Sequence, residues 1–487
     1  MPFTYNTDED VAQMLAAIGA ESIDELLAQV PADFRLDRPL DLPPAMGEME
    51  LDRHTRELAS RNVGAASGAV SLLGGGSYDH FVPAVVDAIA SRGEFYTSYT
   101  PYQAEVAQGN LQAMFEYQTL ITRLTGLDVS NCSLYDGASA AAEAVLMALA
   151  AGKGRSRVVL PASLHPEYRQ TIETYLTCLD AQAVTVPAPS GVVDPDELRS
   201  AVDDQTACVL LQQPNFFGCV EDADAATQIA HEAGALMIAV FDPISLGLMK
   251  RPGDWAAGDW AGGAEAGGAE ERLTGGADIA VCEGQSLGSP MQYGGPYLGV
   301  LACREGLVRR MPGRVVGETK DRRGKRCYVL TLQTREQHIR RDKATSNVCS
   351  NQGLFALRAT VYLSLLGPEG LKETANHCLQ KSRYLAERLC ETERFELAFA
   401  APTFKEFVVR DRQDRIDDLI RDGLDAGYLI GVPLGRFYPE LSDCLLVCVT
   451  EKRTRQELDR LVEVVGVGDH GATRHTKAQK YEPATVG

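Results

Sequence analysis

The sequence predicts an α/β fold built on a mostly parallel sheet, followed by a smaller α+β C-terminal domain. Three observations carry this. Between about residue 110 and 300, strand-length apolar runs alternate with helical patterns. The runs are apolar throughout rather than at every second residue, as in strands covered on both faces. After about residue 350 two long helical stretches precede three strand runs, and the alternation ends. On this reading the chain comprises an N-terminal helical arm (1–70), a large α/β domain (71–350) carrying a surface insertion (254–276), a small α+β domain (351–467) and a flexible polar tail (468–487).

The arm contains two helix starts in which an acid follows a hydroxyl by three residues, Thr7–Asp10 and Ser22–Glu25. A glycine-rich loop, LLGGGSYDHFVP (Leu72–Pro83), and the tyrosine-rich EFYTSYTPYQAEVAQG (Glu94–Gly109) come next. Leu111–Leu124 has helical spacing, and the turn LYDGAS opens the alanine-rich helix Ala140–Ala151. Then follow strand RVVLPA, helix PEYRQTIETYLTCL, strand AVTVPA, helix DPDELRSAVD and strand ACVLLQQPN. Helix DAATQIAHEAG and the strands LMIAVFDP and ADIAVCEG complete the series. Between the last two strands lies a Gly/Ala-rich acidic stretch with both tryptophans, Trp255 and Trp260, which is read as a surface insertion. The small domain is predicted to contain helices Gly353–Leu366 and Leu371–Cys390, then strands FELAFA, FKEFVVR and CLLVCVT.

A net charge of −20 argues against nucleic acid or an anionic membrane as partner. No apolar run is long enough to span a bilayer, and the acidic N-terminus lacks the layout of a secretion signal, so a cytoplasmic location is expected. The twelve cysteines form no CxxC pair and the eight histidines no HExxH, so reduced thiols and no metal site are expected.

In a doubly wound sheet, ligands sit where strands end and helices begin. Three stretches fall there. In YDGAS, Gly137 allows close backbone approach, and the N–H groups of Ala138 and Ser139 face an anion at the helix start. Asp242 closes the strand AVFDP; a carboxylate there pairs with a protonated pyridine nitrogen or caps the next turn. Asn215, in QQPNFFG, bonds a ring oxygen or makes an Asx turn. His165, opening HPEYRQ, stacks on an aromatic ring or simply starts its helix.

In order and spacing these elements follow a fold-type I pyridoxal-phosphate enzyme of the aspartate-aminotransferase-like class. Such enzymes carry a lysine on a turn after the last of these strands. Here that turn is VCEGQSLGSPMQYGGP (Val281–Pro296), and it has none. It offers Gln285 or Ser286, and an amide nitrogen cannot form the imine. Lys250 is the nearest lysine, only eight residues beyond Asp242 and ahead of the next strand.

Four stretches together resemble one family: LGGGSYDHFVP, the long run from Glu94 to Ala144, PNFFG, and REQHIRRDKATSNVCSNQGL. They are similar to the α subunit (subunit 1) of the two-chain glycine decarboxylase, the P-protein of the glycine cleavage system. The resemblance implies an α2β2 assembly that takes glycine on pyridoxal phosphate, releases CO2 and passes the aminomethyl group to the lipoyl arm of H protein. It also implies that the β subunit holds the cofactor lysine. Counted back from Pro290, the lysine slot of this chain falls on Gln285, as that division of labour requires. Gly137, Ala138, Ser139, His165, Asn215, Asp242 and Gln285 would then line a vestigial pocket, with no catalytic residue of its own. Tyr96, Tyr99 and Tyr102, close together on a loop, are candidates to reach the partner, and the basic stretch His338–Asn351 is a second interface candidate. The competing readings are a self-sufficient decarboxylase or aminotransferase using Lys250 or another lysine, and a pure scaffold.

Overall fold

A computed structural model describes residues 5–36, 38–64, 67–152, 154–256, 275–349 and 352–466. The chain divides into two compact units, Met1–Asn62 and Val63–Gly487. The polar tail and most of the insertion, including Trp260, lie outside the described residues.

The first unit contains the helices Asp8–Ile18, Ile23–Leu26 and Glu48–Ser60. Thr7 and Asp10 form the reciprocal capping box, with Asp10 N–H donating to Thr7 Oγ1 at 3.2 Å and Thr7 N–H to Asp10 Oδ2 at 2.8 Å. At the second start only half of the box forms. Ser22 Oγ accepts from Glu25 N–H, while the Glu25 carboxylate takes the N–H of Glu21. None of these three helices buries a residue, and Met14, Ile18, Ile23 and Leu26 are exposed.

The second unit is built on a seven-stranded sheet: β1 (Val129–Ser130), β2 (Arg157–Pro161), β3 (Gln182–Val186), β4 (Thr206–Gln213), β5 (Leu236–Phe241), β6 (Ile279–Glu283) and β7 (Gly299–Cys303). Its order is β1-β7-β6-β5-β4-β2-β3. The strands from β3 to β6 are parallel; at the other edge β7 runs antiparallel to β6, and β1 pairs antiparallel with β7. Alternate residues of one strand feed two separate cores. Val209, Leu211, Met237 and Ala239 pack on one face of the sheet; Cys208, Leu210, Ile238 and Val240 pack on the other. This explains why the strands read as unbroken apolar runs.

Trp255, expected on the surface with the insertion, is instead buried at 2 % exposure in the first of these cores. Its neighbours Pro252 and Ala277 are joined by a 2.8 Å backbone hydrogen bond, which fixes the roots of the excursion and turns the indole inward. An indole is too large an apolar surface to leave in water when such a site is within reach.

A hairpin, β8 (Val315–Lys320) and β9 (Arg326–Thr331), follows the sheet. The two predicted long helices run as Gly353–Cys390, broken at Gly367 (φ 59°, ψ −172°) immediately before Pro368, and Ala356, Tyr362 and Ala375 pack into the first of the two cores on the large sheet. Pro368 cannot donate to the preceding turn, so the expected pair of helices is what forms. The small sheet is antiparallel, β10 (Phe395–Leu397), β11 (Glu406–Asp411), β12 (Val432–Pro433) and β13 (Cys444–Cys448), in the order β10-β11-β13-β12. Its apolar face has its own core around Phe407, Val409, Leu445 and Val447. Among the described residues no helix is long and apolar enough to cross a membrane.

Candidate functional site

The carboxyl ends of β4, β5 and β6 meet the head of β11 and the glycine-rich loop in one buried, polar pocket. It encloses about 30 Å³ and is lined among others by Tyr78, His165, Asp242, Glu283, Lys405 and Glu406. That is room for a water molecule or two.

Asp242 ends β5, as its strand pattern implies. Its Oδ2 lies 2.7 Å from Lys405 Nζ, and both side chains are almost fully buried. Its other oxygen accepts the N–H of Ile244, so the turn-capping reading also holds. Lys405 further lies 3.1 Å from His80 Nε2 and over the Tyr78 ring, 3.4 Å from its centroid. Burial alone would lower the Lys405 pKa, but the Asp242 carboxylate outweighs it and holds the ammonium charged. His80 Nδ1 meets Glu451 Oε2 at 2.6 Å, and Cys378 Sγ lies 3.5 Å from the same oxygen. These three residues bring ligand-type atoms within 4.8 Å of one another, a cluster that no sequence spacing announces. Burial works against the Glu451 charge, but His80 and the Phe81 N–H outweigh it and bring its pKa to about 2.

Beside the pair, Glu406 accepts from Gly75 N–H at 2.7 Å and from the Tyr78 hydroxyl at 2.8 Å. Burial lifts its pKa to about 7 against those bonds.

The helix that opens at Gly137 is capped by the chain itself. Asp136 accepts from the N–H of Ser139 at 2.8 Å and from its hydroxyl. Glu283, the last residue of β6, takes the N–H of Gly137 at 3.0 Å, of Gln285 at 2.8 Å and of Leu298 at 3.0 Å. Burial raises Glu283 to about 7, opposed by these three donors. Ala138 sits between Gly137 and Ser139 in the first turn. A side chain at 137 would run into the Tyr168 hydroxyl and the backbone of Glu283, so only glycine fits.

Gln285 is 1 % exposed. Its Oε1 accepts from Tyr78 N–H at 2.9 Å, and its Nε2 donates to the carbonyls of Tyr78 at 3.0 Å and Ser289 at 2.7 Å. The Gln285 side chain therefore ties the turn to the glycine-rich loop. His165 donates from Nε2 to Gly75 O at 2.7 Å, accepts Glu167 N–H at Nδ1, and stacks on Tyr168 at 4.9 Å. Burial lowers its pKa, and these two hydrogen bonds place the proton of the neutral ring on Nε2. Asn215 is fully engaged some way along the same edge. Its amide donates to Gly191 O and Glu221 Oε1, both at 2.7 Å, and its oxygen accepts from Phe217 and Cys219 N–H. The second of its two sequence readings, a local turn, describes it.

Tyr96, Tyr99 and Tyr102 are 69 %, 84 % and 63 % exposed. Tyr96 closes a one-turn helix, Gly93–Tyr96, rather than lying in open loop. Tyr99 borders a second cavity of about 190 Å³, with Phe95, Met114, Leu354 and Phe355. Arg314 lies over the Tyr102 ring at 5.0 Å, and His338 meets it edge-on at 6.3 Å. The two interface candidates thus adjoin. Lys250 is on the surface, 2.6 Å from Asp224 and away from the pocket.

Sequence reasoning missed Lys405, Glu283, Tyr78 and Glu406. The one available signal is the Lys405–Glu406 pair at the head of an otherwise apolar strand run.

Comparison with known proteins agrees with this architecture. The family model for the glycine cleavage system P-protein matches residues 3–267 and 273–465. The chain is 48 % identical over 466 residues to the probable glycine dehydrogenase (decarboxylating) subunit 1 of Carboxydothermus hydrogenoformans, covering 96 % of this chain and 99 % of that one. To the corresponding protein of Moorella thermoacetica it is 48 % identical over 462 residues, covering 95 % and 98 %. The crystal structure of a glycine decarboxylase (P-protein) of the glycine cleavage system, in inhibitor-bound form, superposes with a TM-score of 0.83 at 40 % identity, covering 96 % of this chain and 99 % of that one. A glutamate decarboxylase of Lactobacillus brevis shares the fold at a TM-score of 0.64, 12 % identity, and 89 % and 95 % coverage. The fold is that of the type I pyridoxal-phosphate-dependent enzymes. The chain belongs to the glycine cleavage system P-protein family.

Proposed function

We propose that the chain is a subunit of a glycine decarboxylase that works only with a second subunit, which carries the pyridoxal phosphate. Together, as an α2β2 assembly, they release the carboxyl of glycine as CO2 and pass the aminomethyl group to the lipoyl arm of H protein. The observation that carries this reading is Gln285. Over a chain matched almost end to end by subunit 1 relatives, the turn where such enzymes carry their lysine has Gln285 instead, its amide engaged in three hydrogen bonds.

The pocket does not fit the cofactor. Draining electrons from a decarboxylating amino acid needs an imine to the pyridine ring, and the lysine that lines this pocket, Lys405, is already paired with Asp242. This chain's contribution is therefore to complete the partner's site. The exposed Tyr96, Tyr99 and Tyr102, beside a cavity of about 190 Å³ and the His338 stretch, offer aromatic surface suited to an anchor from another chain.

Co-expression with a second subunit that carries a lysine on this turn tests the reading. Glycine–CO2 exchange is expected from the pair and not from this chain alone. Exchange by this chain alone would overturn it. Substituting Tyr96→Phe, Tyr99→Phe and Tyr102→Phe in turn, at least one is expected to lower exchange; three unchanged rates would remove the tyrosines from the account.

A further inference from the structure

In folds of this type an acidic side chain faces the pyridine nitrogen and a helix N-terminus faces the phosphate. Here both positions have partners drawn from the chain. Lys405 Nζ stands 2.7 Å from Asp242, held over the Tyr78 ring and beside His80. The Glu283 carboxylate stands on the N–H of Gly137. We propose that Lys405 and Glu283 act as built-in substitutes for the cofactor's cationic ring and anionic phosphate, closing this pocket to pyridoxal phosphate whether bound covalently or not.

The physical argument is one of charge and space. A pyridinium approaching Asp242 must displace an ammonium already buried with it. A phosphate approaching Gly137 meets a carboxylate that already uses three backbone donors. Neither substitute uses the Gln285 side chain, since Glu283 takes only the backbone N–H of that residue, so restoring a lysine there does not reopen the site. The pocket's lining is also satisfied without a cofactor: Lys405 meets Asp242, and Glu283 meets three backbone donors. This goes beyond the proposed activity and stands on the side chains of this pocket alone. Loss of glycine exchange in an assembly would leave the binding tests below unaffected.

The test uses the full-length chain at pH 8 and 4′-deoxypyridoxine 5′-phosphate, an analogue whose methyl group cannot form an imine with any lysine. The native chain is expected to show no saturable binding and no shift in melting temperature. Saturable binding of one molecule per chain would overturn the proposal. In the double variant Lys405→Ala/Glu283→Ala the melting temperature is expected to fall by about 5 °C, and the analogue should then bind and restore part of the loss. A folded double variant that still takes no analogue would show that these two side chains are not what closes the pocket. Should that variant fail to fold, Gln285→Lys alone decides. Treated with pyridoxal phosphate and borohydride, it is expected to carry no label at position 285. A label there would overturn the proposal.

Discussion

Lys405 and Asp242 set the largest single-residue effects. Lys405→Ala leaves a carboxylate buried without its cation and should cost about 3–5 kcal/mol of stability, read by urea unfolding. Lys405→Met with Asp242→Asn, which removes both charges, should cost clearly less, because the penalty comes from orphaning one partner rather than from losing the attraction. Glu451 gives a pH signature. Its folded pKa, about 2, lies below the ordinary 4.5, so its contribution is full above about pH 4.5 and drains away as pH falls toward 2. Glu451→Gln should therefore cost roughly 3 kcal/mol near neutrality, and the gap to the native chain should narrow steadily below pH 4.5; a gap that does not change with pH would contradict this. Glu283 has the opposite sign. Raised to about 7, it favours the fold at low pH and loses that contribution as pH rises from 4.5 through 7. At this scale Asp242 and Gln285 are legible from sequence because each ends a readable strand or turn. Lys405 is not, since it meets Asp242 across more than 160 residues with no spacing to announce it.

Among the elements, the parallel strands from Arg157 to Phe241 are legible because they lie between helices and carry apolar side chains into two cores at once. β7 escapes the sequence pattern for a physical reason: GVLAC is a five-residue apolar run whose periodicity cannot separate strand from helix. The β8–β9 hairpin escapes because its outer end is charged, with Glu318, Lys320 and Arg326, although Asp321 and Gly324 do mark the turn between its strands. Trp255 corrects the reading of the insertion, whose root is core. Trp255→Ala should cost about 3–5 kcal/mol, whereas a charge-neutral shortening within 257–274 should leave the melting temperature nearly unchanged. Equal losses from both would mean the indole does not anchor this part of the fold.

For the whole molecule, the family is legible from four long stretches of sequence, of which the glycine-rich loop and PNFFG reach the pocket through Gly76, Tyr78, Pro214 and Gly218. What sequence does not disclose is the pairing of Lys405 with Asp242 and of Glu283 with the Gly137 N–H, because folding alone brings these groups together. The central claim is that the cofactor chemistry resides on another chain while this one is closed to it. The most direct measurement is to purify the assembly with its natural cofactor, reduce it with borohydride, and weigh the intact subunits. The account predicts the full pyridoxyl mass on the partner and an unmodified mass for this chain. A pyridoxyl adduct on this chain, at Lys405, Lys250 or any other lysine, in proportion to the cofactor present, would contradict it.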